Sequence, residues 1–195
     1  MILPIVAYGD PVLRKVGVEI DKNYPELPKL IANMWETMEN AHGVGLAAPQ
    51  IGKSIRLFVI DATPFAEDEE NTPEEKEVLS NFRKVFINPK IVKEEGDEWP
   101  FEEGCLSIPE VREDVYRQET VHITYQNENF ESKKEILTGL AARVFQHEYD
   151  HIEGVLFTDK ISSLKKRLIK RKLENISKGK IGADYRMRYF NAKRK

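Results

Sequence analysis

The chain has 195 residues, 41% of them hydrophobic, and a net charge of only −3, so it is long enough for one substantial core and we expect a single domain over residues 1–195. A single cysteine excludes an intramolecular disulfide, and no apolar run approaches the roughly 20 residues that span a bilayer. The N-terminus also lacks the charged segment and apolar core of a secretory signal, which predicts a cytoplasmic protein without a membrane partner.

The first predicted helix covers residues 27–38, where apolar side chains recur at helical spacing and Pro28 suits the first turn. Its apolar face contains Leu27, Leu30, Ile31, Met34, Trp35 and Met38. A break that begins at His42 and contains two glycines follows, and the apolar run at residues 56–61 predicts a buried strand. A glycine-containing loop therefore connects the helix to the strand.

The next segment, residues 63–80, is predicted to be a surface insertion. Residues 67–77 contain seven acidic side chains against one lysine, and two prolines interrupt the segment. It separates the first strand from a second strand-like run at residues 85–88, which a shorter one at 91–92 follows.

A hairpin is predicted further along the chain. Residues 121–125 alternate apolar and polar side chains, and residues 126–129 can turn the chain into a second strand at 130–137. His122 falls on the face opposite its apolar neighbours, so we expect a histidine on the sheet surface and not a metal ligand.

The sequence His-Glu-Tyr-Asp-His at residues 147–151 lies on a predicted helix that begins after Thr138 and ends at Gly154. Its inward face contains Leu140, Ala141, Val144, His147, Glu148 and His151. A helix places His147 and His151 one turn apart on one face, where both can bind one metal ion. Glu148 lies beside the first histidine, where it can take a proton from a water molecule that the metal activates. The motif therefore predicts a hydrolytic metal centre.

A catalytic site of this kind needs a third protein ligand and one open position. The upstream segment Glu103–Ser107 places the sole cysteine, Cys105, beside a glycine, and its thiolate is a candidate for this third position. Taken alone, a single cysteine is more often a small buried hydrophobic residue. Both interpretations of Cys105 are open on this evidence.

Three segments, Gly43–Gln50, Glu103–Ser107 and Gln146–His151, occur in an order and spacing that resemble the peptide deformylase family over residues 1–160. With the predicted elements, the resemblance implies an α+β fold in which antiparallel sheets pack around a central metal-binding helix. An N-terminal helix and a basic C-terminal helix complete it. The chain would divide into a catalytic core, residues 1–160, and a basic helix and tail, residues 161–195.

The resemblance implies a hydrolase that removes the N-formyl group from the N-terminal formylmethionine of nascent polypeptides and releases formate. Cys105, His147 and His151 would then hold one divalent metal ion. The native ion of the family is typically iron(II). The donor set alone also admits zinc, nickel or cobalt.

The resemblance also assigns roles to other residues of this chain. Glu148 would transfer protons, while the Gln50 side-chain amide and the backbone N–H of Leu106 would stabilise the oxyanion. The implied substrate-binding residues are Gly43, Val44 and Gly45 along the peptide, Leu140 and Val144 near the methionine side chain, and Arg112 along the peptide exit. Two glycines would let the backbone pair with an extended peptide, although Gly43 also suits a helix C-terminus. Glu103 and Arg117 match a structural ion pair of the family.

The C-terminal region is strongly basic, because residues 160–195 contain fourteen lysines and arginines against two acids. Ser162 and Ser163 can begin a final helix that contains Leu164, Leu168 and Leu173. The positive charge fits either a solvated helix or a surface that meets an anionic partner. Resemblance favours contact with the ribosome, and we expect a monomer.

Two other classes of protein fit part of the pattern: a general metallopeptidase with the His-Glu-x-x-His motif, and a metal- or peptide-binding module without catalysis. A metallopeptidase should cleave unformylated peptides. An inactive relative should have lost Glu148, Gln50 or Cys105, and the chain retains all three.

Overall fold

A computed structural model describes residues 1–190 of the chain. The helices are α1 (Leu27–Asn40), α2 (Pro73–Ser80), α3 (Gly139–Ile152) and α4 (Ser163–Ser177). The strands are β1 (Ile5–Val6), β2 (Gly45–Ala47), β3 (Leu57–Asp61), β4 (Arg83–Cys105), β5 (Ile108–Gln126), β6 (Ser132–Thr138) and β7 (Met187–Arg188). None of the helices in the described part of the chain is long and apolar enough to cross a membrane.

Five strands form one antiparallel sheet in the order β2-β3-β4-β5-β6, and β1 and β7 form a second, two-stranded sheet. The α+β fold with an antiparallel sheet, an N-terminal helix and a C-terminal helix is confirmed. The small sheet differs from the prediction because β1 and β7 are parallel. Strands of two residues have no alternating pattern that a sequence could reveal.

Helix α1 begins and ends close to the predicted bounds, and its apolar face is buried against β3 and β4. After it, the chain enters β2, which is the first strand of the five-stranded sheet. One edge of β2 pairs with β3, and within residues 1–190 no strand lies beside its other edge. An edge strand of this kind exposes backbone groups that can pair with an extended segment.

The predicted strands at 85–88 and 91–92 are both parts of β4, which continues for 23 residues and pairs with the 19 residues of β5. The sequence prediction missed this length because residues 93–99 are mostly polar and exposed on both faces. Register shifts interrupt the pairing at several points. The long hairpin ends at a turn formed by Leu106 and Ser107, directly after Cys105.

The acidic segment contains more structure than a surface insertion requires. It forms a 3-10 helix, Thr63–Glu67, and the helix α2, whose N-terminus is capped by a reciprocal pair of hydrogen bonds between Thr72 and Glu75. This Thr-x-x-Glu pattern was a local signal for a helix start. Leu79 at the end of α2 is buried in the core beside Phe82.

Helix α3 has the predicted position, with Thr138 at the N-cap and Gly154 in a left-handed conformation after its last turn. The Thr138 side chain makes no capping hydrogen bond. The helix is central because its apolar face packs on the sheet, where Phe145 lies 5.2 Å from Phe58 and 5.1 Å from Phe86 between ring centroids. These aromatic contacts fix the helix relative to β3 and β4.

Helix α4 begins where predicted, and the Ser162 side chain accepts a hydrogen bond from the Lys165 backbone N–H. Its three leucines do not share one face. Leu173 is 8% exposed, whereas Leu164 and Leu168 are 61% and 73% exposed. Five residues at 3.6 per turn place Leu173 about 140° around the helix from Leu168, so the two cannot pack on the same surface.

Candidate active site and metal centre

The three predicted metal ligands come together from two elements. Cys105 is the last residue of β4, and His147 and His151 lie one turn apart on α3. One donor atom from each of the three lies within 4.8 Å of the others. The Cys105 Sγ is 3.3 Å from His151 Nε2, and the two imidazole centroids are 5.1 Å apart. One thiol and two imidazoles at these distances fit a single transition-metal ion.

Contacts around the two histidines favour their binding of a metal ion. The Nδ1–H of His147 faces Glu103 Oε2 at 2.9 Å, a hydrogen bond that orients the ring and leaves Nε2 for a metal. Burial lowers the pKa of His151 well below its ordinary value, with help from the charge of His147. His151 is therefore a neutral imidazole, which is the form that binds cations.

His147 differs from His151 in its protonation. Burial lowers the pKa of His147, but hydrogen bonds to Cys105 and Glu103 outweigh that effect and raise it well above the ordinary value. Binding of a cation by His147 must therefore displace a proton.

Glu103 is the centre of a buried charge network behind the ligands. Its carboxylate accepts two hydrogen bonds from Arg117, at 2.6 and 2.9 Å, and one from Arg143 at 3.1 Å. Arg117 also binds Asp150 at 2.7 Å. Burial raises the pKa of Glu103, but the hydrogen bonds from Arg117 and His147 outweigh it and hold the pKa well below the usual range. The Glu103–Arg117 ion pair is thus confirmed, whereas Arg143 and Asp150 were not predicted.

Glu148 has a different environment from Glu103. Its side chain is buried, and its Oε2 has no hydrogen-bond partner within residues 1–190. Burial raises the pKa of Glu148 to about 7. Its other oxygen lies against Gly45, where an added Cβ would come within 2.3 Å of Oε1. Residue 45 must therefore be a glycine to leave room for this carboxylate. The sequence alone did not indicate this steric requirement.

Gln50 and Leu106 both lie next to Cys105, a candidate metal ligand, Gln50 through its side-chain amide and Leu106 as the following residue. Gln50 is 1% exposed, and its Oε1 accepts a hydrogen bond from the Ala47 backbone N–H at 2.8 Å. This contact directs the amide nitrogen towards Cys105 Sγ at 3.6 Å and Ser107 Oγ at 3.5 Å. Both predicted oxyanion donors thus border the candidate metal centre.

A cavity of about 660 Å³ opens onto this centre. The predicted site residues that line it are Gly43, Val44, Gly45, Gln50, Cys105, Leu106, Arg112, Val144, His147 and Glu148. His151 and Leu140 are not among the lining residues, and Leu140 packs against the core cluster that contains Phe145. Arg112 is exposed at the cavity wall and pairs with Glu102 at 2.8 Å.

The structure adds cavity-lining residues that sequence reasoning missed. Phe65 comes from the acidic segment, and residues 182–185 come from the chain after α4. Phe65 is an aromatic residue in a segment that was predicted to lie on the surface. Its apolar side chain was a weak signal that it packs against other residues. Residues 182–185 carried no local signal, because their position depends on a return of the chain over a long sequence distance.

Comparison with known proteins decides the family. The family model for polypeptide deformylase matches residues 2–167. The chain belongs to the peptide deformylase family. It is 66% identical over 194 residues to the peptide deformylase of Christiangramia forsetii, covering 100% of this chain and 99% of the relative.

Solved structures of two relatives agree with this assignment. The Thermotoga maritima peptide deformylase superposes with a TM-score of 0.72 and 41% identity, covering 83% of this chain and 99% of the relative. The Legionella pneumophila peptide deformylase gives a TM-score of 0.76 with 37% identity, covering 92% of this chain and 98% of that structure.

The enzyme is therefore a hydrolase that removes the N-formyl group from the N-terminal formylmethionine of nascent polypeptides. The family is metal-dependent, and Cys105, His147 and His151 form a possible metal site. These findings decide against a general metallopeptidase and against a binding module without catalysis.

Proposed function

We propose that Cys105, His147 and His151 hold the metal ion and that Glu148 transfers the protons of deformylation. The observation that carries this proposal is the convergence of three donor atoms within 4.8 Å of one another beside a buried glutamate on the same helix. When bound there, a divalent ion polarises the formyl oxygen and lowers the pKa of a water molecule.

Glu148 suits the proton transfers because burial brings its pKa to about 7, close to the working range of a general acid–base group. In the reaction, water adds to the formyl carbon and the carbon–nitrogen bond breaks, so formate and a free amine are released. Glu148 accepts a proton from the attacking water and delivers it to the departing nitrogen. One carboxylate thus acts first as a base and then as an acid.

We propose Gln50 and the Leu106 backbone N–H as the donors that stabilise the developing oxyanion. The Gln50 amide is held in place by its contact with Ala47, so it needs no reorganisation when charge develops. Removing one such donor typically costs about 2.7–4 kcal/mol of transition-state stabilisation. A Gln50→Leu variant should therefore lower kcat by more than it raises KM, as steady-state formate release would measure.

The peptide substrate is proposed to add a strand beside β2. Gly43, Val44 and Gly45 line the cavity, and in the described part of the chain β2 has one edge without a neighbouring strand. Val144 lines the same cavity and is the proposed contact of the methionine side chain, with Leu140 behind it. Arg112, exposed at the wall, is proposed to lie along the departing peptide.

The proposed native ion is iron(II), on the basis of the family resemblance. Zinc, nickel or cobalt also fits two imidazoles and a thiolate. Metal analysis of anaerobically purified protein tests the identity of the ion. Purification in air should lower the activity of the iron form, because a thiolate-ligated ferrous site is open to oxidation.

The deciding experiment measures formate release from a formyl-Met peptide by anaerobically purified, iron-loaded enzyme. Chelator-treated enzyme and the unformylated peptide are the controls. Formate that depends on metal, without cleavage of the peptide bond, supports the proposal. Full activity in a Cys105→Ala variant would contradict the ligand set.

The basic C-terminal region is proposed to contact the ribosome in the cytoplasm. Residues 191–195, with three of its cations, lie outside the described residues. Lys165 and Lys172 pair with acidic side chains of the hairpin, whereas within residues 1–190 no salt bridge is found for Arg167, Lys170 or Arg171. Cations without acidic partners suit ribosomal RNA, so binding to ribosomes should weaken steeply as salt rises. Ribosome binding that does not depend on the salt concentration would contradict the proposal.

The enzyme is further proposed to act as a monomer and to fold as one domain, with residues 1–160 as the catalytic core and 161–195 as an appended helix and tail. Contacts of α4 with β5 support one folding unit. Light scattering and a single cooperative unfolding transition are the tests.

A further inference from the structure

The chain returns to the active site after α4. Ile5 and Ala7 donate backbone hydrogen bonds to Arg186 and Arg188, both at 2.9 Å, and these bonds anchor β7 on β1. Residues 182–185, just before β7, form one wall of the cavity. The family model ends at residue 167, so this wall lies outside the part of the chain that the model matches.

The wall faces the turn that follows Cys105. Leu106 and Ser107 form the two-residue connection between β4 and β5. Such connections favour turns with positive φ at one or both central residues, because these turns match the twist of the strands. Neither Leu106 nor Ser107 has a positive φ, and the strand register shifts at Gly104. The turn thus lacks the positive-φ conformation that best matches the strand twist, and contacts from other parts of the chain add to the strand pairing that holds it.

Two distant parts of the chain supply those contacts. The Tyr185 hydroxyl donates a hydrogen bond to the Leu106 carbonyl at 2.7 Å. The Tyr8 backbone N–H donates to the Ser107 carbonyl at 2.8 Å. Both carbonyls of the turn are therefore fixed by groups outside the hairpin. Tyr185 is the one that reaches the turn from the cavity wall.

We propose that Tyr185 is a positioning residue for deformylation. Its hydroxyl holds the Leu106–Ser107 turn and so fixes the position of the Leu106 N–H and of the preceding residue, Cys105. This inference rests on the proposed role of the Leu106 N–H. A phenol hydroxyl is protonated in the neutral pH range, so Tyr185 can donate this hydrogen bond to the Leu106 carbonyl.

Tyr185→Phe tests this proposal, because phenylalanine keeps the ring in its apolar contacts and removes only the hydroxyl. We expect kcat to fall about three- to tenfold, the effect of one lost hydrogen bond, with KM nearly unchanged. Amide hydrogen exchange in the peptide that covers residues 105–108 should become faster. The melting temperature should change little.

Tyr189→Phe is the matched control. Tyr189 lies on the same returning segment, and its ring packs against Gly179. The variant also loses one hydroxyl, and it should leave kcat and the exchange of residues 105–108 unchanged.

Three results would overturn the inference: an unchanged kcat in Tyr185→Phe, a rise in KM alone, or equal losses in both variants. Wild-type enzyme that releases no formate would instead overturn the proposed function. The exchange measurement needs no activity, so it tests the contact between Tyr185 and the turn in either case.

Discussion

Helices α3 and α4 have nearly equal lengths, 14 and 15 residues, yet they differ in which side chains they bury. Helix α3 buries the charged groups of Arg143 and Glu148, whereas α4 exposes Leu164 and Leu168. The difference shows that residue type alone does not decide burial. What decides it is whether the rest of the fold supplies partners for that face of the helix.

Arg143 illustrates the supply of partners. Its guanidinium binds Glu103 and the carbonyls of Val115 and Trp99, at 3.1, 2.9 and 2.6 Å. The same group lies 4.4 Å from the centre of the Trp99 ring. A buried charge without such partners would cost several kcal/mol. Helix α3 can therefore carry an arginine inside the protein only because the β4–β5 hairpin surrounds it.

The largest expected effect comes from Glu148, the buried carboxylate on α3 whose Oε2 has no hydrogen-bond partner within residues 1–190. Glu148→Gln should lower kcat by about 10²–10⁴-fold, because it removes the proposed proton acceptor. Thermal stability should stay the same or rise, since an amide is easier to bury than a carboxylate. Formate release and thermal unfolding measure the two effects. Glu174→Gln, an exposed carboxylate on α4, is the control and should change neither.

The second prediction breaks the network that supports α3. Glu103→Gln should lower the free energy of unfolding by about 3–5 kcal/mol, because Arg117 and Arg143 lose their shared charge partner while buried. Urea denaturation measures the loss. The adjacent Glu102→Gln removes an exposed partner of Arg112 and should cost less than about 1 kcal/mol. Equal losses of unfolding free energy in the two variants would show that burial of the charge network adds nothing to stability.

The third prediction compares two leucines within α4. Leu173→Ala should lower the free energy of unfolding by about 2–5 kcal/mol, because Leu173 lies in the core beside Ile176. Leu168→Ala should stay within about 0.5 kcal/mol, since Leu168 is 73% exposed. Chemical denaturation of both variants measures the two changes in the free energy of unfolding. A comparable loss at Leu168 would mean that its exposed face is covered in the native protein.

The smallest effect concerns the ion pair that precedes α4. Asp159 binds Arg14, and both side chains are about 40% exposed, so solvent screening keeps the contribution below about 1 kcal/mol. Burial raises the pKa of Asp159, but hydrogen bonds from Arg14 and the Leu156 backbone N–H, together with the charges of Arg14 and Lys166, outweigh it and the net shift is downward. A lowered pKa means that the stabilisation is complete above the unfolded value of about 3.9 and is lost as the pH falls below it. Asp159→Asn should therefore be slightly less stable than wild type at pH 7 and indistinguishable at pH 2, as urea midpoints at each pH would report.

The elements with the strongest local signals were predictable. Helix α1 has a helical repeat of apolar residues, α3 has its histidine motif and terminal glycine, and the β5–β6 hairpin alternates around a polar turn. That Cys105, His147 and His151 lie close together was also predictable, because the family resemblance places them in two motifs that occur in the expected order. The chain after α4 was not, because a strand of two residues leaves no pattern.

The sequence by itself determined the catalytic chemistry, because the side chains that can bind a metal or move a proton lie in short, recognisable motifs. Only the tertiary structure decided what surrounds them. Gly45 makes room for Glu148 across 103 residues, and Tyr185 reaches Leu106 across 79. Contacts over such distances depend on how whole elements pack, and no local sequence pattern encodes them.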